Sequence, residues 1–218
     1  MPTLFERLYR SPFGRVMSSL AWGIGRFQRP FMIYGYKDTP SGQWRKYTRL
    51  SSSVILMNRP ALALGDYIWV WHYSILDATA GLTIEQGCQI GAWVGIFTHG
   101  SQNAIRLLGE QFVHIPNQER AGYTRGAVHI GAYSFIAAGA KILPGVTIGK
   151  GCLVGAGSLV TKDLPDFAIA VGAPAQVKGS TLDLDLESFR QQDFSASYYD
   201  PAALAIILDK LAEEGIER

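Results

Sequence analysis

The apolar positions of this chain follow neither the 3.6-residue period of a helix nor the alternation of a simple strand. From Ile130 onward a branched aliphatic residue returns every sixth position, through Ile136, Ile142, Ile148 and Val154 to Val160. The same period runs earlier through Leu64, Val70 and Leu76, slips by two residues around Leu82, and resumes at Ile84, Ile90 and Ile96. The fourth residue after each aliphatic is small in most units, as at Ser74, Ala80, Cys88, Ser134, Ala140, Cys152 and Ser158, and Gly65, Gly91, Gly131, Gly149 and Gly155 directly follow one. A chain that turns a corner every six residues, pointing one branched side chain inward and tucking a small residue near each corner, satisfies all of this. Three units close a triangular coil of about 18 residues, and successive coils pair backbone to backbone about 4.8 Å apart. Each coil buries the face of its neighbour, which makes a quasi-one-dimensional solenoid.

Three segments break the pattern. Residues 1–60 form an N-terminal extension, expected to be partly helical, with Leu4, Leu8, Val16, Leu20 and Ile24 apolar and Arg7, Arg10, Arg15, Arg26 and Arg29 basic. It reads either as a helix or two packed on the solenoid or as a basic amphipathic surface in peripheral contact with an anionic membrane, although Pro12 and Gly14 interrupt its period. Residues 61–179 form the β-helix domain, interrupted by an insertion at 100–127. So long an excursion inside a compact domain is usually functional or disordered, and Arg106, Glu110, His114, Glu119, Arg120, Tyr123 and Arg125 favour a loop that meets a ligand or a neighbouring subunit. In the tail, residues 180–218, Asp200-Pro201 reads as N-cap and first helical residue, followed by the apolar stripe Leu204, Ile207, Leu208 and Leu211, which predicts one amphipathic helix.

Composition narrows the function. The 218 residues carry a net charge of +2, too weak a field for a nucleic-acid binder that relies on phosphate neutralisation. Two cysteines cannot build a disulfide framework or a thiolate zinc site by themselves, and both fall on small inward positions, so Cys88 and Cys152 read as buried packing thiols. No apolar run reaches a membrane span and no signal peptide is evident, which points to the cytoplasm, with the inner face of the membrane as the place where the basic N-terminal segment can rest.

Of the four histidines, His72, His99, His114 and His129, His99 stands out because the repeat opens into the insertion directly after it. A histidine at such an exit is partly exposed yet held by a stiff scaffold, as a general base requires. Either Glu110 or a backbone carbonyl can accept from its second ring nitrogen, and the sequence leaves both open. Ala138 and Ala156, 18 residues apart with no insertion between them, occupy one corner on consecutive coils. Two methyl groups in a column leave a shallow groove that suits a narrow ligand, or they simply make corners easy.

The Thr98-His99 step before an insertion, then Val128-His129-Ile130-Gly131, then Ile142-Leu143-Pro144-Gly145-Val146-Thr147-Ile148-Gly149, resembles the galactoside, maltose and polysaccharide O-acetyltransferases of the hexapeptide-repeat acyltransferase family. The resemblance implies an all-β fold: a left-handed parallel β-helix with N- and C-terminal helical extensions and a long loop insertion. That handedness is an exception to the right-handed crossover rule and spacing alone does not supply it. The resemblance also makes His99 the catalytic base and acetyl-CoA the cosubstrate. The stretch from Val154 to Pro165, with Val171-Gly172-Ala173-Pro174-Ala175-Gln176-Val177-Lys178, matches the family's CoA signature and implies coenzyme contacts at Ala138, Ala156, Thr161 and Lys162, with Lys178 near the nucleotide phosphates. Two departures stand out. Phe135-Ile136-Ala137 replaces the usual Trp-Ile-Gly, and Gln176 and Lys178 stand where relatives often carry arginines.

On the acceptor side, Trp71, His72 and Asp77 lie where relatives hold the sugar. The family assembles as a homotrimer with each active site between two chains. The resulting expectation is an acetyl-CoA-dependent O-acetyltransferase of a carbohydrate hydroxyl, in surface polysaccharide biosynthesis as the resemblance implies. The alternatives are an N-acetyltransferase of a nucleotide-linked amino sugar and a non-enzymatic scaffold. A γ-type carbonic anhydrase shares the solenoid but binds zinc through three histidines, and no closely spaced histidine pair occurs here, so no metal is expected.

Overall fold

The computed structural model describes residues 11–14, 16, 17, 19, 20 and 29–216. The chain divides into two units, Met1–Phe31 and Met32–Arg218. In the first, the described positions 12–14, 16, 17, 19 and 20 are helical, and the Gly14 N–H donates to Ser11 Oγ at 3.2 Å. Leu4, Arg7, Leu8, Arg10, Arg15, Ile24 and Arg26 lie outside the described residues. No helix among the described residues is long and apolar enough to cross a membrane.

The second unit is a three-sided coil of parallel strands. The first face stacks Trp44–Ser51, Trp69–Val70, Gln89–Ile90, Phe135–Ile136, Leu153–Val154 and Ala168–Gly172. The second stacks Ile55–Met57, Ile75–Asp77, Gly95–Ile96, Lys141–Ile142 and Leu159–Val160, and the third Leu62–Leu64, Leu82–Ile84, Val128–Ile130 and Thr147–Ile148. An antiparallel strand closes each end of the first face, Met32–Lys37 beside Trp44–Ser51 and Ala175–Ser180 beside Ala168–Gly172.

The period of six is the inward ladder. Leu64, Val70, Leu76, Ile84, Ile90, Ile96, Ile130, Ile136, Ile142, Ile148, Val154 and Val160 are each no more than 1% exposed. Each such burial contributes roughly 1.5–3 kcal/mol before entropy is counted. Backbone bonds join coil to coil, such as Gly91 N–H to the Ile136 carbonyl at 2.8 Å and Leu143 N–H to the Val160 carbonyl at 3.0 Å. The small residues satisfy the corners: Ser74 Oγ donates to the Gly91 carbonyl at 2.9 Å and accepts from Val94 N–H at 3.2 Å, and Ser134 does the same between Gly149 and Cys152.

Coil length is not constant, and the variation is confined to one corner. On the second face Ile75 pairs with Gly95, 20 positions on, Gly95 with Lys141 across the insertion, and Lys141 with Leu159, 18 on. The two-residue slip around Leu82 and the whole insertion therefore share the corner between the second and third faces. The insertion holds one short helix, α1 (Ala104–Leu108), two 3-10 turns, and a two-residue antiparallel return of His99–Gly100 with Thr124–Arg125.

Two expectations need correction. Residues 32–57 hold three strands, and the coil begins upstream of residue 61: Trp44–Ser51 and Ile55–Met57 pair in register with later coils although they lack the repeat's glycine after the aliphatic and its small residue four positions on. The tail holds two helices, α2 (Thr181–Gln191) and α3 (Pro201–Glu213), rather than one. Asp200 Oδ1 caps α3 by accepting from the Ala202 and Ala203 N–H groups. Helix α2, capped by Ser180, has only a narrow apolar stripe, but Leu186 and Phe189 pack on Ile207 and Leu211 of α3. The pair abuts the corner at Gly151, whose φ of +62° is left-handed and where an added Cβ would overlap the Tyr199 hydroxyl.

Burial pushes the thiols of Cys88 and Cys152 up to about 12 and about 11, and each donates to a backbone carbonyl, Gly131 at 3.2 Å and Pro165 at 3.0 Å. At mildly alkaline pH iodoacetamide should therefore label neither cysteine in the folded protein and both in guanidinium, read by intact-mass spectrometry. Labelling of the native chain would contradict the inward placement.

Candidate active site

His99 ends the second face of the third coil, where the chain leaves for the insertion. Its Nδ1 lies 2.7 Å from Oδ2 of Asp77, one coil below. The imidazole is 25% exposed and the Asp77 side chain 0%. The carboxylate is otherwise fully used: Oδ2 accepts from Thr98 N–H at 2.9 Å and Thr98 Oγ1 at 3.1 Å, and Oδ1 from Thr79 N–H at 2.9 Å. Thr98 Oγ1 accepts in turn from Ala80 N–H at 3.0 Å. Burial alone raises the Asp77 carboxyl, but the hydrogen bonds from Thr79 and Thr98 and the neighbouring His99 outweigh it and hold the group below the ordinary aspartate range. An ionised Asp77 requires the proton on Nδ1, which leaves the Nε2 lone pair as the basic position.

Asp77, expected on the acceptor side, is instead buried and bonded to the inner ring nitrogen of His99, the position the sequence left open to Glu110 or a backbone carbonyl, whereas Glu110 is exposed in the insertion. The signal was present: the two-residue slip lengthens this coil to 20, which brings position 77 beneath 97–99. The ring of Tyr123, from the returning arm of the insertion, lies 5.8 Å from the imidazole and within 14° of parallel.

The other candidates divide between the two edges of the second face. Thr161 and Lys162 are exposed on the same edge as His99, two coils on, about 10 Å along the axis at one strand spacing per coil. Ala138 and Ala156 lie exposed on the opposite edge, in a column joined by Gly139 N–H to the Ala92 carbonyl at 2.8 Å and Gly157 N–H to the Ala138 carbonyl at 2.9 Å. That corner is open, since an added Cβ at Gly157 meets nothing within 4 Å. Trp71 and His72 share this second edge on an earlier coil. Trp71 is 42% exposed and stacks on Trp69 at 5.5 Å, and His72 Nδ1 is 2.6 Å from Ser51 Oγ. Lys178 is exposed on the closing strand Ala175–Ser180. The candidate residues of one chain thus lie on two separate edges. No group of three His, Cys, Asp or Glu residues that could hold a metal occurs among the described residues.

Because Asp77 has a depressed folded-state pKa, its stabilising contribution is complete above the unfolded-state value and is lost as pH falls through the folded one. Urea denaturation across the acid range should show wild-type stability falling as Asp77 protonates and Asp77→Asn, weaker at neutral pH, with a shallower acid slope.

A family model described as bacterial transferase hexapeptide (six repeats) matches residues 127–162. A galactoside O-acetyltransferase of Lactococcus lactis is 42% identical over 72 residues, 33% of this chain and 35% of that protein. A serine acetyltransferase of Bacillus pumilus is 34% identical over 132 residues, 58% of this chain and 51% of that one. Among solved structures, a maltose O-acetyltransferase from Clostridium difficile 630 is similar at 26% identity and a TM-score of 0.48, over 59% of this chain and 64% of that one. The chain spans about a quarter to a half of the length of the curated relatives it matches. The chain thus carries the transferase hexapeptide repeat over residues 127–162 and is similar, over part of its length, to acetyltransferases.

Proposed function

We propose that this chain, wound left-handed as the family resemblance implies, is an acetyl-CoA-dependent O-acetyltransferase acting on a carbohydrate hydroxyl. The observation that carries the reading is His99, tied through Nδ1 to a buried, ionised carboxylate and partly exposed at the mouth of a loop. Nε2 takes the proton of the acceptor hydroxyl as its oxygen attacks the thioester carbonyl. The carbon–oxygen bond forms, the carbon–sulfur bond breaks, and the imidazolium returns the proton to the departing thiolate. Asp77 favours the imidazolium that forms in between, and it spends no reorganisation doing so because its four donors are already in place.

The two half-sites of one chain cannot serve the same substrate, because a whole face separates them. A homotrimer resolves this: His99, Thr161 and Lys162 of one copy face the groove of Ala138 and Ala156 and the rings of Trp71 and His72 on the next. In this arrangement the alanine column receives the pantetheine arm, Lys162 and Lys178 supply point charges for phosphate, and Trp71 offers an apolar ring for a pyranose face.

Mass-spectrometric screening of saccharides with acetyl-CoA tests the activity. Against an accepted hydroxyl sugar, His99→Ala and Asp77→Asn should each lower kcat by about 10²- to 10⁴-fold, the range for a missing base or one held in the wrong tautomer. KM for acetyl-CoA should stay unchanged. An amino sugar acetylated well by His99→Ala would favour N-acetylation instead, since a deprotonated amine needs little base assistance. Sedimentation at micromolar concentration should give a trimer, and a monomer that is fully active would exclude a shared site.

A further inference from the structure

The ribbon that carries His99 returns antiparallel, with His99 opposite Arg125 and Gly100 opposite Thr124. Directly opposite residues in such a pair project to the same side, with Cβ atoms about 5 Å apart. Arg125 therefore stands on the imidazole's side of the ribbon. Tyr123, parallel to the imidazole, has two cations near its ring: the guanidinium carbons of Arg125 and Arg120 are 4.9 and 5.9 Å from its ring centre, and Arg120 also packs 3.9 Å from the Phe112 ring.

Each guanidinium has five N–H donors. Arg120 Nε donates to the Ile115 carbonyl at 2.9 Å and Arg125 Nη2 to the Asn117 carbonyl. The only acidic side chains of the insertion, Glu110 and Glu119, form an ion pair with neither arginine, nor does any other carboxylate among the described residues. Two positive charges are thus oriented by aromatic faces and backbone carbonyls, with most of their donors open. A guanidinium stacked on a ring leaves its edge for bidentate binding of a carboxylate or phosphate.

We propose that Arg120 and Arg125 bind a carboxylate or phosphate carried by the acceptor, so that the substrate of this site is an acidic saccharide. The proposal rests on His99 being the base. The coenzyme is the other source of phosphate, but its diphosphate lies at the far end of the pantetheine arm, whereas the thioester must come within about 3–3.5 Å of the attacking oxygen at His99. An anion beside His99 and Tyr123 is therefore too close to the reacting carbonyl to be the diphosphate.

Binding is read from the ring resonances of His99 and Tyr123 as a pyranose uronate, a pyranose phosphate and a neutral methyl pyranoside are titrated into the full chain. The wild type should bind one anionic probe at least about tenfold more tightly than the neutral one, the size of a charge-assisted hydrogen bond. Arg125→Gln and Arg120→Gln should each remove most of that preference, Arg125→Lys should keep part of it, and acetyl-CoA affinity should not change. Equal or undetectable binding of all three probes overturns the proposal. So does an Arg125→Gln variant that keeps the anion preference while losing acetyl-CoA affinity. In His99→Ala the preference, read on Tyr123, should persist while acetyl transfer is lost, so a failure of this inference and a failure of the base assignment show in different measurements.

Discussion

Each coil leaves a row of N–H and C=O groups unpaired until the next coil supplies partners, and that pairing holds only while a side chain of the right size returns inward at every sixth position. The backbone ladder and the aliphatic stack are one constraint seen twice. A parallel strand of two residues has almost no stability alone, yet here Phe135–Ile136 is bonded on both sides, to Gln89–Ile90 and to Leu153–Val154. The serines and cysteines near the corners extend the same economy of space, because a small side chain can reach a turn carbonyl without displacing the ladder.

On this stiff frame the Asp77–His99 pair is an electrostatic exception. Asp77 is a charged group in a place built for aliphatic ones, tolerable because Thr79, Thr98 and His99 supply its donors. The cost of burying it is set against the fixed orientation of the imidazole. Tyr123 covers one side of the ring, so the insertion and the coil below each hold one part of the same histidine.

The coil was legible because its period is long, regular and unlike that of any other element, and all twelve inward positions read from it are buried. His99 was legible as the last regular position before the insertion. The partner of His99 was not, because the resemblance, rather than coil length, set Asp77 on the acceptor side, and a slip of two positions is easily read as noise instead of as a change of register. The early coils were missed for a related reason: Arg49, Leu50 and Ile55 pair with Trp69, Val70 and Ile75, yet Leu50 is followed by Ser51 rather than glycine and has Val54, not a small residue, four positions on. The division of the expected coenzyme contacts between two edges was equally hidden, since a spacing along the chain names a corner only once every preceding coil has been counted.

The ladder also works as a ruler. Groups along one edge can be separated only by whole strand spacings, so the distance between His99 and Lys162 is quantised in steps of about 4.8 Å. Fine adjustment has to come from side-chain length, or from a loop that leaves the coil and returns. A scaffold of this kind changes reach by adding or deleting whole turns, and it confines subtler variation to the one corner where the chain is already free to wander.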